Sequence, residues 1–143
     1  MIRCRSAGVI GAVTFALVAV AVGISRADEA QPYKVESGHV DPGTYNGYRR
    51  YGESCLRCHG PDGAGSSYAP SLVDSLKSLD HQAFAEVVAN GRKNVNTANS
   101  NVMPAFGTTE DVMLYLDDIY GYLKARSDGA LGRGRPKRIG DDS

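Results

Sequence analysis

Cysteine is scarce in this chain. There are three cysteines, three histidines, three methionines and no tryptophan among 143 residues. So few cysteines exclude a framework of several disulfides. Formal net charge is zero, so the basic excess that holds proteins on nucleic-acid phosphates is missing, and no nucleic-acid partner is expected. No segment repeats, which excludes solenoid architectures, and the length suits one domain. Only one stretch, at the N-terminus, is apolar enough to approach the span of a bilayer.

That stretch reads as a secretory signal over residues 1–27. Arg3 and Arg5 precede an uncharged run from Ala7 to Ile24, and Ser25-Arg26-Ala27 places small residues before Asp28. This is the order of a cleavable export signal, with the cut expected after Ala27. An uncleaved anchor is the competing reading, since the apolar run is close to the minimum for a membrane helix. Cleavage removes Cys4 and Met1 and leaves Cys55 and Cys58 as the last cysteines. No stable membrane insertion is expected thereafter.

Those two cysteines lie in Cys55-Leu56-Arg57-Cys58-His59, the attachment signature of a c-type haem. Each sulfur can add to a haem vinyl group, and the adjacent imidazole then falls beside the tethered macrocycle. A disulfide between Cys55 and Cys58 would close too small a loop to restrain the unfolded chain much, and would give His59 no role. Zinc needs four well-spaced ligands; Cys58 and His59 are neighbours, and only His39 and His81 remain.

The rest of the chain is read around this motif. Residues 28–43 are expected to be an irregular N-terminal arm, with His39 solvated. Thr44 is read as the N-cap of a helix running to about Ser54, with Tyr48, Tyr51 and Cys55 on one face. Gly60-Pro61-Asp62-Gly63-Ala64-Gly65 is turn chemistry, and a short helix is expected near 72–79. Asp80 caps a helix ending at Asn90-Gly91, with Phe84, Val87 and Val88 as its apolar face and His81 partly exposed. From Arg92 to Asn101 the chain is polar and without period. A last helix is expected from about Glu110 to Ala125, where Val112, Leu116, Ile119 and Leu123 form a stripe. Residues 127–143 are a Gly-rich tail whose basic cluster, Arg133 to Arg138, is read as solvated, with docking to an acidic partner as the alternative.

The result is an all-α chain of three main helices and long loops around one covalently attached haem. His59 is the first iron ligand. The second site is either filled or open to small molecules. Met113 belongs to a helix core, whereas Met103 stands in a loop, directed by Pro104, and is the candidate. A histidine–methionine pair belongs to electron-transferring haem proteins; an open iron would instead make a haem enzyme or gas sensor. A ligating histidine usually donates its second N–H to a carbonyl, for which Pro70 is a candidate.

Cys55-Leu56-Arg57-Cys58-His59-Gly60, Ala69-Pro70-Ser71-Leu72, Met103-Pro104-Ala105-Phe106-Gly107 and Tyr122-Leu123 together resemble the class I c-type cytochromes over roughly residues 44–124. The resemblance implies a tight crossing of first and last helices, supplied by Gly47, Tyr48 or Tyr51, and Tyr122. It also implies a proline carbonyl, here that of Pro70, orienting His59. Residues 44–126 are therefore taken as the cytochrome domain. Asp41 to Tyr51, Asn90 to Thr97 and Arg126 to Pro136 look like the methanol-metabolism-related cytochromes c, similar in role to cytochrome cL. That likeness implies a periplasmic one-electron carrier. Its donor would be a PQQ-dependent methanol or alcohol dehydrogenase, its acceptor a later cytochrome or terminal oxidase.

Overall fold

The computed structural model describes residues 31–95 and 100–141. The expected signal segment, the first residues of the arm, and Asn96 and Asn99 lie outside the described residues. Among the described residues no helix is long and apolar enough to cross a membrane.

The fold begins with a cap. Asp41, not Thr44, starts the first long helix, α1 (Pro42–Ser54). One Asp41 carboxylate oxygen accepts the Gly43 and Thr44 N–H groups at 2.9 and 3.0 Å; the other accepts Lys34 N and the Thr44 hydroxyl at 2.8 and 2.5 Å. Pro42 suits the first turn because it has no N–H to leave unpaired. The sequence expectation missed this because Thr44 is also a good capping residue; here it donates to the true cap instead.

Before α1, the expected irregular arm contains a small ordered piece. Strands β1 (Val35–Glu36) and β2 (His39–Val40) pair antiparallel. His39 is half-buried there, its Nδ1 3.2 Å from Ser37 O. Further along come α2 (Leu56–His59), α3 (Leu72–Ser75) and α4 (His81–Asn90). The Asp80 carboxylate accepts Ala83 N at 2.8 Å, so the expected cap of α4 is in place. Next is a hairpin, β3 (Arg92–Val95) with β4 (Ser100–Met103), in a segment whose composition shows no strand period.

The expected last helix is two. α5 (Glu110–Leu114) and α6 (Leu116–Ser127) meet at Tyr115, whose φ of −111° and ψ of 23° break the helical run. The stripe survives the break: Val112, Leu116, Ile119 and Leu123 are all buried. Burying side chains of this size contributes about 1.5–3 kcal/mol each.

The core is the crossing of α1 and α6. A Cβ on Gly47 would lie 1.8 Å from Asp118 O and 2.4 Å from its carbonyl carbon, so the two backbones touch where α1 has no side chain. Asn46 fastens the same point by donating to the Asp118 carboxylate at 2.7 Å. Beside it the Tyr122 ring meets Tyr48 edge-on and Tyr51 tilted, both at 5.6 Å between centroids.

The basic tail is not free in solvent. β5 (Lys137–Arg138) pairs parallel with β2. Arg135 donates to the Tyr45 hydroxyl at 2.6 Å, and Gly134 N and Arg133 Nε reach the Asp62 carboxylate at 3.1 and 3.4 Å. Isolated charges in a Gly-rich sequence read as solvated; tertiary partners far away in the chain turn them into a strap.

Replacing Gly47 with Ala should lower the midpoint of thermal unfolding, because the crossing must open; overpacking of this kind costs about 1–3 kcal/mol. Gly52→Ala is the control. Nothing lies within 4 Å of a Cβ there, and the change should raise stability by about 0.5–1 kcal/mol through helix propensity. Melting curves followed by circular dichroism distinguish the two.

Candidate functional site

The site grows from the end of α1. Cys55 closes that helix, its N–H donating to Tyr51 O at 2.9 Å, and then opens α2. One turn on, His59 N donates to Cys55 O at 2.9 Å. The short helix thus carries Cys55 half-buried, Cys58 exposed and His59 buried.

The chain must then leave sharply. Gly60 adopts φ +71°, and a Cβ on it would lie 2.3 Å from Gly65 O. The loop curls back on the motif: Gly65 N donates to His59 O at 2.7 Å, and the Ser66 hydroxyl donates to Cys58 O at 2.5 Å while accepting Tyr68 N at 3.0 Å. Tyr51 holds the inside of the curl. Its hydroxyl donates to Gly60 O and accepts Gly63 N.

This curl delivers Pro70. Its carbonyl oxygen lies 3.0 Å from His59 Nδ1. A carbonyl only accepts, so Nδ1 carries a proton, and in the neutral ring the lone pair is then on Nε2. That is the tautomer required of an imidazole that ligates a metal through Nε2.

Met103 ends β4, opposite Arg92 in the hairpin register. It packs, half-buried, against the main hydrophobic core, as do Cys55, Leu72 and Phe106. Met113 packs there too, from α5. The other two histidines go elsewhere. His81 Nε2 lies 2.8 Å from the Asp117 carboxylate and its ring stands edge-on to Tyr120; His39 stays in the strand pair described above.

The donor set suits a covalently held haem. Burial, and secondarily Cys58, pushes the Cys55 thiol up to about 11, a setting that favours a neutral sulfur. A thioether carries no charge and suits such burial. Among the described residues no three His, Cys, Asp or Glu side chains gather as a metal-binding group. Haem through Cys55 and Cys58, with iron at His59 Nε2, fits these residues; a structural zinc does not.

Two supports were not read from the sequence. Asp62, three residues past His59, has a positive φ of 60°, uncommon for a side chain larger than glycine. Its carbonyl accepts Arg126 Nε at 3.4 Å, and the same guanidinium donates to Leu131 O at 2.9 Å. With the strap on its carboxylate, Asp62 ties the motif loop to α6 and the C-terminal segment. The second support is Tyr51. Its helical spacing was visible, but its two loop bonds depend on how the loop returns.

Burial raises the hydroxyl pKa of Tyr51 to about 12 and that of Tyr122 further still. In the unfolded chain both ionise near 10. Between about pH 10 and 12 the unfolded state therefore binds fewer protons than the native state, and stability falls as pH rises. Thermal midpoints should drop across that window, with a smaller drop for Tyr51→Phe; an equal drop in both proteins would contradict the assignment.

Known proteins resemble this chain over most of its length. Residues 44–123 match the family model described as cytochrome C oxidase, cbb3-type, subunit III. Cytochrome c-553I of Paracoccus denitrificans is 51% identical over 118 residues, 82% of this chain; the chain spans about half, 52%, of that protein's length. Cytochrome c-555 of Methylococcus capsulatus (strain ATCC 33009 / NCIMB 11132 / Bath) is 42% identical over 68% of this chain and 74% of its own. Among solved structures, c-type cytochrome XoxG from Methylobacterium extorquens AM1 superposes with a TM-score of 0.64 at 42% identity, covering 81% of this chain and 77% of that one.

Proposed function

Because the chain belongs to the class I c-type cytochromes, electron-transfer proteins with covalently bound c-type haem, we propose that it carries one haem on Cys55 and Cys58, with His59 and Met103 as axial ligands. The observation that carries this reading is the hydrogen bond to Pro70 O, which engages His59 Nδ1 and so turns the ligating role to Nε2, on the residue that directly follows Cys58. The haem supplies a one-electron ferric–ferrous couple. The chain's own residues do the rest. Pro70 O fixes the imidazole ring and, by accepting the hydrogen bond from Nδ1–H, makes Nε2 a stronger donor. Met103 offers a soft neutral thioether, which favours the reduced state and raises the potential. Tyr51 and the curl from Gly60 to Pro70 keep the ring from turning.

The carrier works in the periplasm, exported by the segment cleaved after Ala27. It takes electrons from a PQQ-dependent methanol or alcohol dehydrogenase and passes them to a later cytochrome or terminal oxidase. Support for that place comes from the likeness to methanol-metabolism-related cytochromes c at Asp41 to Tyr51, Asn90 to Thr97 and Arg126 to Pro136. The N-terminal run over residues 1–27, with Arg3 and Arg5 before an uncharged stretch and Ser25-Arg26-Ala27 at its end, supports it too.

Two measurements test the reading. The ferric holoprotein should show the weak red charge-transfer band of methionine-ligated haem, and Met103→Ala should lose it and let the ferrous form bind carbon monoxide. A wild-type protein that lacks the band and binds carbon monoxide rapidly would instead favour an open-iron haem enzyme or gas sensor. Mixed in a stopped-flow with a reduced PQQ alcohol dehydrogenase, the holoprotein should be reduced at micromolar concentration; no reduction would remove the dehydrogenase assignment alone.

A further inference from the structure

The Met103 segment is gripped by the end of α4. Gly91, the residue closing that helix, has φ +72° and ψ −178°, a region open essentially to glycine alone. A Cβ at this position would lie 2.6 Å from Met103 O, 2.8 Å from Ala105 N and 2.9 Å from the Pro104 carbonyl carbon. All three are main-chain atoms, and they lie in the two peptides on either side of Pro104. A flexible side chain could move aside; these cannot move without carrying Met103 with them.

Two hydrogen bonds complete the grip. The last carbonyls of a helix have no partner within it. Here Val88 O accepts Phe106 N and Ala89 O accepts Gly107 N, each at 3.0 Å. On its other side Met103 is held in register with Arg92 by the hairpin. The methionine therefore sits between a strand pair before it and a pair of helix-end bonds after it. Pro104, with no N–H of its own, needs no partner in the gap. The helix that does the gripping is itself fixed, with Phe84 and Val88 buried in the core and His81 bonded to Asp117 on α6.

We propose that Gly91 is a positioning residue for the axial methionine: by letting the α4 terminus lie flush on the 103–105 backbone, it sets where the Met103 sulfur stands. This rests on the reading that Met103 ligates the iron. On this reading the ligand's position is set by a helix end locked into the core, together with the hairpin strand that carries it.

The test compares full-length holoproteins at neutral pH by the intensity of the red ferric band and the rate of carbon monoxide binding to the ferrous form. Gly91→Ala should weaken or abolish the band and raise the population of iron open to carbon monoxide roughly 10-fold or more, as expected for a backbone forced apart by one methyl group. Haem content and far-ultraviolet circular dichroism should stay near wild type. Asp80→Ala separates positioning from mere loss of helix stability. It removes the cap bond to Ala83 N, costing about 1 kcal/mol, but leaves the grip intact, so its band and carbon monoxide rate should match wild type. If Gly91→Ala does not accumulate, Gly107→Ala replaces it, since a Cβ there would lie 2.9 Å from Ala89 O. A Gly variant that behaves like Asp80→Ala overturns the proposal while leaving Met103 as ligand. A wild-type protein without the band overturns both.

Discussion

Everything in this protein hangs on the contact between α1 and α6 at Gly47. Two helix backbones approach closely there because one of them has no side chain to keep them apart. The contact fixes the line of α1, and α1 ends in the cysteine that begins the functional motif. It also places Tyr122 against Tyr48 and Tyr51, so the aromatic contacts that stiffen the crossing stiffen the approach to the site. A carrier that changes charge by one electron benefits from such rigidity. Little needs to rearrange when the iron changes state, provided that its ligands cannot drift.

The two expected ligands are held by opposite strategies. His59 is set by a loop that folds back on itself over Gly60 and ends in the carbonyl of Pro70. Met103 is set from outside, by the terminus of another helix and the pairing of a hairpin. One arrangement is local and the other is not. The strap adds a third tie, joining Asp62 in the motif loop to Arg126, Arg133 and Gly134. The C-terminal segment is thereby part of the same framework, and much of its positive charge is engaged with this chain's own groups.

Much of this could be read in advance. The haem motif is five consecutive residues, and its chemistry requires them side by side. The stripe Val112, Leu116, Ile119 and Leu123 follows helical period and is buried as that period requires. Asp80 and Asn90-Gly91 bound α4 because caps and stops act within a few residues. Errors came where two local signals competed or where none existed. Asp41 and Thr44 are both good caps, and only the bonds made by each decide. The hairpin of β3 and β4 is polar on composition, with no alternation to betray a strand, and the break at Tyr115 interrupts a stripe that runs on unaltered.

The sequence by itself determined the family, the expected cofactor chemistry and the helical stripes, because an attachment motif, capping and amphipathic period are properties of neighbouring residues. Only the tertiary structure decided which groups serve the site from a distance. That Arg126 reaches Asp62, that Gly91 presses on Met103, and that the basic tail closes onto Asp62 and Tyr45 all depend on where segments apart in the chain come to rest. A glycine's role there is visible only in the space that its missing side chain leaves.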